Sequence, residues 1–390
     1  MSAEAAIRAY HDELTAIRRD IHAHPEIGFT EHRTSDIVAA KLAEWGIEVH
    51  RGVGGTGVVG VLRRGDAGSN RLPSIGLRAD MDALPIEEAT GLPHASTRPG
   101  IMHACGHDGH TTMLLGAARY LAEQGNFKGT VNFIFQPAEE GLGGAKAMIA
   151  DGLLTRFPCD RVFGMHNRPG LEVGKFAIRP GAMMAGGAFF DITITGKGAH
   201  GARPESGVDP VVVAASIISA VQTVVSRNIM ATDTAVVSIT TMQGGNAYNV
   251  IPERALLGGT ARAFKRETME MIETRMHALV TSIAEGYGAR AELDFRFLFA
   301  PLVNTPEETT RYADAAALVV GEENVERFGP AVMGSEDFSF MLEACGGAHI
   351  NIGNGENSAP VHNDRFDFND EAIPYGSAAW VSLVETRLPA

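Results

Sequence analysis

The stretch that most limits what this chain can become runs from Met102 to His110 and reads M-H-A-C-G-H-D-G-H. It places three histidines, one thiol and one carboxylate within nine residues, more ligand chemistry than a solvated loop or a core strand requires. Gly106 separates Cys105 from His107 without adding a side chain, so thiolate and imidazole can face one point. Such sulfur and nitrogen donors suit zinc and other first-row transition ions better than calcium or magnesium. The competing reading is a His-rich helix start in which Cys105 is merely a small buried apolar residue.

The flanking pattern decides how this stretch can be used. Residues 58–62 and 74–79 read as strands, and the second delivers Asp80-Met81-Asp82 into the loop beyond it. Residues 111–122 read as a helix, with His107 and His110 at or near its first turn. Residues 130–135 alternate like a buried strand that ends in Gln136-Pro137-Ala138-Glu139-Glu140, and 161–164 form another that ends in Met165-His166-Asn167. Three successive strand ends thus offer a carboxylate pair or a histidine to one edge of one sheet, where α/β sheets keep their chemistry. Adjacent carboxylates point in different directions, so one can bind a metal while the other reaches a water beside it. An isolated Glu-Glu or Asp-x-Asp would instead be a solvated acid pair.

The rest of the chain supplies a scaffold. Ile7, Tyr10, Leu14, Ile17 and Ile21 recur at helical steps over residues 3–22, and His24-Pro25 ends that helix. H-A-H-P-E-I-G then reads as a turn rather than a site, and a helix over 31–45 stops at Gly46. From about residue 189 the order becomes strand (189–195), helix (209–227), strand (235–241), strand (255–263), helix (267–286), strand (291–297). This β-α-β-β-α-β unit is ferredoxin-like and complete in itself, so it reads as an insertion. A helix over 307–320, a strand over 349–353, His362 in a Pro-Val-His-Asn turn and a last helix from near Asn369 return to the first pattern. The expected architecture is α/β, with one domain over 1–186 and 298–390 built on a central, mostly parallel sheet flanked by helices. An inserted α+β domain occupies 187–297.

Totals narrow the function classes. A chain of 390 residues exceeds what one core usually supports. Its net charge of −14 argues against a nucleic-acid backbone as partner, since binding phosphate needs clustered cations. The first residues lack the basic and apolar parts of a signal peptide. The apolar run over 211–225 is broken by Ser216, Ser219, Gln222 and Thr223 and reads as too short for a bilayer. The expectation is a cytoplasmic protein with no membrane partner. Cys105, Cys159 and Cys345 form no disulfide framework, and the latter two read as inert thiols.

Seven motifs carry a resemblance that covers most of the chain: G-L-R-A-D-M-D-A-L-P, M-H-A-C-G-H-D-G-H, Q-P-A-E-E-G, G-M-H-N, G-K-G-A-H, N-V-I-P-E-R and G-S-E-D-F. In this order they resemble the M20 metallopeptidase family. More narrowly they are similar to its amidohydrolase branch of hippurate hydrolases, N-acyl-amino-acid deacylases and plant auxin-conjugate hydrolases. The resemblance implies two divalent metal ions that share Cys105, the first also held by His107 and His166, the second by Glu140 and His362. Zinc is the first expectation, and manganese, cobalt and nickel tolerate the same ligands. Glu139 matches the family's general base. Where the wider family has His-x-Asp this chain has Asp80-Met81-Asp82, so His107 stands in for the missing histidine and Asp82 orients it.

The inserted domain resembles a lid and dimerisation domain. His200 matches a histidine that reaches the active site of the partner subunit, while Asn249 and Arg262 match lid positions that hold the substrate's carboxylate. The chain departs from its branch at Arg203-Pro204-Glu205, where relatives carry a second histidine. The resemblance thus implies a homodimer or homotetramer. It implies hydrolysis of a linear amide C–N bond in a small N-acyl amino acid, hippurate-like or N-acetyl, to a carboxylic acid and a free amino acid. The alternatives are a dipeptidase or aminopeptidase on the same metals, a metal-stabilised binding protein without turnover, and a Cys105 nucleophile activated by His107.

Overall fold

Strand ends become chemically useful only when strands run the same way, and the central strands of this molecule do. The computed structural model describes residues 2–66 and 71–390. They form two compact units, one of Met1–Met183, Val303–Pro330 and Asp337–Ala390, the other of Met184–Leu302 and Ala331–Glu336.

The first unit opens with α1 (Ala3–Arg8) and α2 (His11–Ala23), where sequence reasoning expects one helix. The chain turns at Tyr10, whose hydroxyl donates to the Gly116 carbonyl at 3.2 Å while the Arg119 guanidinium stacks 4.3 Å over its ring. Apolar spacing continues across the bend, so periodicity cannot reveal it. Next come α3 (His32–Glu44), β1 (Glu48–Val53), β2 (Gly57–Arg64), β3 (Ser74–Asp80), α4 (His107–Glu123), β4 (Gly129–Gln136) and β5 (Arg161–Pro169). The pattern along the chain missed β1 because it is an edge strand that buries little and so shows no alternation.

The eight-stranded sheet runs β1-β2-β4-β3-β5, then Gly347–Gly355, Phe176–Ala177 and Val325–Glu326. Its middle, β4, β3, β5 and Gly347–Gly355, is parallel, and β1 and β2 pair antiparallel at one side. Asp80 lies opposite Gln136, so β3 and β4 finish at one edge of the sheet, but β5 runs on past them to Pro169: the strand expected to end at 164 continues because it pairs with Gly347–Gly355, and His166 lies within it. Every residue of β3 is buried, as expected of a parallel strand covered on both faces. Leu77, Phe133, Phe135 and Phe163 are fully buried in the sheet, and cutting one of the phenylalanines to alanine would cost about 3–5 kcal/mol. Helix α4 is buried over most of its length against α2 and the last helix, Ile373–Arg387.

The second unit has a four-stranded antiparallel sheet ordered Ala235–Gly244, Arg254–Ala263, Gly186–Thr195, Arg290–Phe299, with helices Pro210–Asn228 and Arg266–Gly286. That is the ferredoxin-like order. The expected boundaries lie at 186/187 and 297/298; the units change after Met183 and Leu302, and residues 331–336 join the second unit. Phe299 still pairs with Gly187, and Ala185 N–H donates to Val332 and Gly334 at 3.1 and 3.0 Å, which extends the unit at both ends. The apolar run read as too short for a bilayer continues to Asn228, and the helix is long and apolar enough to cross a membrane by length and composition. Its Val213, Ala214, Ile217, Val221 and Val224 are instead buried in this unit's own core.

Candidate metal centre

Asp80 and Asp82 come from the end of β3, Glu139 and Glu140 from the loop after β4, His166 from within β5, and Cys105 and His107 from the start of α4. Gly106, at φ 94°, makes the turn into that helix, and a Cβ there would run into the Asn167 side chain. His362 arrives from a distant loop with a left-handed φ of 62°, a conformation that costs a β-carbon-bearing residue of order 1–3 kcal/mol. Its N–H donates to the Ala104 carbonyl at 2.7 Å, which ties that loop to the cysteine segment.

Five groups of three donors occur among the described residues, and two of them share Cys105. Cys105, His107 and His166 offer one ligand atom each within 4.8 Å of one another, and so do Cys105, Glu140 and His362. Cys105 belongs to both. Its Sγ lies 3.3 Å from His166 Nε2, and His362 Nε2 lies 3.2 Å from Glu140 Oε1. Glu139 falls within the same 4.8 Å reach of His107 and Glu140. Three protein donors per ion, with further positions open, is the pattern of catalytic rather than structural sites.

Hydrogen bonds aim the histidines. His166 Nδ1 donates to the Asn167 carbonyl at 2.6 Å, which leaves the Nε2 lone pair directed at the thiol. His107 Nδ1 bonds Asp82 Oδ1 at 3.2 Å, and its buried Nε2 has no hydrogen-bond partner among the described residues. Fixing one ring nitrogen so that the other can ligate is how metal-bound histidines are held. The other oxygen of Asp82 accepts the Glu140 N–H at 2.9 Å, so one carboxylate orients a donor from each group.

The electrostatics suit a bound cation. Burial pushes the Cys105 thiol well up, and Glu140, Glu139 and Asp80 push it further. Burial works against protonating His107, yet Asp80, Asp82 and Glu140 hold it at about 10. Burial drives His166 well down, with His110 adding to the effect, so its imidazole is a neutral donor. A dication among these groups would reverse the thiol's shift. The donor set therefore fits two transition-type ions.

Sequence reasoning missed the scaffold beneath this centre. Arg78, fully buried in β3, donates to Gln136 Oε1 at 2.9 Å and Asp80 Oδ2 at 2.8 Å and reaches Asp337 Oδ1 at 3.3 Å. Asp337 N–H in turn meets Glu139 Oε1 at 3.3 Å. His110 bonds Asp80 Oδ1 through Nδ1 at 2.6 Å and accepts the Asn167 N–H at Nε2, 2.9 Å, so neither nitrogen is left for a ligand. An arginine inside an otherwise apolar strand was the one signal that could have exposed this network.

In the second unit His200 is exposed on a short strand opposite Val250, next to Asn249, whose carbonyl accepts the Gly201 N–H at 2.8 Å. Its Nδ1 accepts the Ala202 N–H at 3.1 Å, which leaves Nε2 to carry the ring proton. Arg262 lies opposite Gly187 with its guanidinium 5.8 Å over the Phe189 ring. Glu205 falls in a one-turn helix, Pro204–Ser206.

Residues 76–386 match the family described as peptidase family M20/M25/M40. The chain is 43% identical over 371 residues to a hippurate hydrolase of Campylobacter jejuni, covering 95% of each. It is 39% identical over 381 residues to an N-acetylcysteine deacetylase of Bacillus subtilis, covering 97% of each. A solved Bacillus subtilis structure described as a dinuclear metal binding peptidase from the M20 family superposes with a TM-score of 0.82 at 35% identity, over 98% of this chain and 99% of that one.

Proposed function

The chain belongs to the M20/M25/M40 peptidase family and is a hydrolase of amide bonds, and from that premise we propose that it cleaves N-acyl amino acids to a carboxylic acid and a free amino acid. The observation that carries this reading is an acid left over: with Cys105, His107 and His166 in one donor group and Cys105, Glu140 and His362 in the other, Glu139 remains, buried beside both. Two divalent ions held there would polarise the amide carbonyl and acidify a water between them. Glu139 takes the proton of the attacking water and returns it to the departing nitrogen. The Asp337 N–H steadies one Glu139 oxygen, and Asp82 keeps His107 and Glu140 turned inward. Zinc is the first candidate ion, then manganese, cobalt and nickel, because mixed sulfur, nitrogen and oxygen donors accept all four.

In this reading the second unit is a lid. His200, with its ring proton on Nε2, would donate to the developing oxyanion of a partner subunit's substrate, and such a donor is worth roughly a hundred- to a thousandfold in turnover. Asn249 and Arg262 would hold the substrate carboxylate. The assembly is a homodimer or homotetramer formed through this unit, a reading supported by Phe189, Val236, Met242 and Leu256, exposed apolar side chains on its sheet. Three unbridged cysteines favour the cytoplasm.

The test is hydrolysis of N-benzoylglycine, N-acetyl amino acids and unblocked dipeptides by protein of measured metal content. Turnover of the acylated substrates with little on the dipeptides is expected. Preference for free dipeptides would overturn the substrate class, and no turnover by protein carrying two metals would overturn the enzyme reading.

A further inference from the structure

The turn that presents Glu139 is built on an unfavourable backbone. Ala138 sits at φ 55°, in the left-handed region that a side chain penalises. Its surroundings hold it there. The Ala138 carbonyl accepts the Gly144 N–H at 3.0 Å, and the Ala138 N–H donates to Glu31 Oε1 at 2.8 Å. Gly28 makes room, since a Cβ there would stand 2.9 Å from both Cα and Cβ of Ala138.

Glu31 is an unusual partner for this task. It is fully buried, which raises its pKa; the donors its side chain meets among the described residues are neutral, the Ala138 N–H, the Thr56 hydroxyl and its own backbone N–H, and a nearby charge acting on it is Asp82, of like sign. A buried carboxylate without a cation is costly and calls for a reason. Capping α3 is not that reason. Glu31 stands at the N-cap position of that helix but makes no capping bond. Glu26 does that work instead, accepting the Arg33 and Thr34 N–H groups at 3.1 and 2.9 Å. The two acids of the H-P-E-I-G-F-T-E stretch thus divide their roles, one closing the helix and the other reaching 107 positions along the chain.

We infer that Glu31 is a positioning residue for the proton-handling carboxylate: by gripping Ala138 N–H it holds the left-handed turn that aims Glu139 at the reacting water. This rests on the role proposed for Glu139. Losing the grip misplaces Glu139 by a fraction of a side chain, and displacements near 1 Å can cost about a hundredfold in rate.

The experiment compares Glu31→Ala, Glu31→Gln and Glu139→Gln, singly and combined, in metal-loaded enzyme, with kcat, KM and bound metal measured on each. For Glu31→Ala we expect kcat to fall about ten- to a hundredfold with KM and metal content nearly unchanged. Glu31→Gln, whose carbonyl can still accept the Ala138 N–H, should recover most of that loss. Added to Glu139→Gln, Glu31→Ala should cost nothing further, because two residues acting through one step are not additive. Should Glu31→Ala not fold, Glu31→Asp retains the carboxyl group but falls one methylene short, and the same drop in kcat is expected. Normal kcat in the folded variant, or a loss that only tracks folded fraction or metal content, overturns the inference. Normal turnover in Glu139→Gln sinks the underlying reading of Glu139 instead, so the two failures are distinguishable.

Discussion

Two buried histidine clusters lie on either side of the first turn of α4, and only one of them fits metal. On one side His107 and His166 meet Cys105 and the carboxylates of Asp82, Glu139 and Glu140. On the other, His22, His94 and His103 gather around Asp108, Glu88 and Asp367. His107 and Asp108 are neighbours in sequence, but consecutive helical residues point about 100° apart, so they serve different clusters. What separates the two is where the buried arginine bonds: Arg78 pairs with Asp80 and Asp337, which lie outside the donors of the first cluster, whereas the second cluster's own acids are taken by Arg18. Arg18, fully buried, reaches Asp367 and Asp370 at 2.7 Å each and Asp108 at 3.4 Å. Among the described residues the second cluster offers no three donors within 4.8 Å of one another.

That contrast can be broken in graded steps, taken here from the largest expected effect on turnover to the smallest. Removing metal with a chelator, or replacing Cys105 by alanine, should abolish hydrolysis. Elemental analysis should then show both ions gone, with activity returning to the chelated wild type on adding zinc or manganese. Full activity in metal-free protein would erase the distinction between the clusters. Next, Glu139→Gln should lower kcat by about a hundred- to ten thousandfold with both metals still bound. A smaller effect is expected for Asp82→Ala, which unties His107 and Glu140 together; titration with a competing chelator should show affinity weakened roughly 10–100-fold.

On the other side of the helix, Arg18→Met removes the buried guanidinium shared by Asp108, Asp367 and Asp370, leaves His22 to balance Asp108, and should destabilise the fold by about 3–5 kcal/mol in denaturant titration. Metal content and turnover per folded molecule should not change; a loss of bound metal would show that Arg18 serves the centre after all. The smallest effect is one of pH. Burial opposes charge on His22, but Asp108 and Glu88 hold it at about 9, against 6.5 for the free side chain. Its stabilisation is therefore fully present below about pH 6.5 and is lost as pH rises through about 9. Unfolding curves should show up to about 1–3 kcal/mol disappearing across that window, and His22→Asn should flatten the slope.

How legible the molecule was depended on how far each partner lay along the chain. Cys105 and His107 announce themselves within three residues, and Glu139-Glu140 and His166 are visible because apolar runs stop before them, although β5 itself continues through His166. The β-α-β-β-α-β order of the second unit follows from periodicity in the same way. Glu31 and Arg78 were not legible, because what makes them matter lies 107 and 259 positions away, at Ala138 and Asp337. His22 reads as a turn-side histidine until Asp108 is found 2.8 Å from it. The bend at Tyr10 and the edge strand β1 escaped for local reasons, one preserving the apolar rhythm and the other burying too little to create one.

By itself, the sequence determined the kinds of atom available and the order in which strands and helices would present them, since both follow from residue chemistry and short-range periodicity. The tertiary structure decided which lone pair of each ring is free, that Asp82 ties a donor from each group, and which acids beside α4 are taken by Arg18. Those outcomes depend on hydrogen bonds and charges between segments far apart in the chain, and no local pattern encodes the direction in which a lone pair will point.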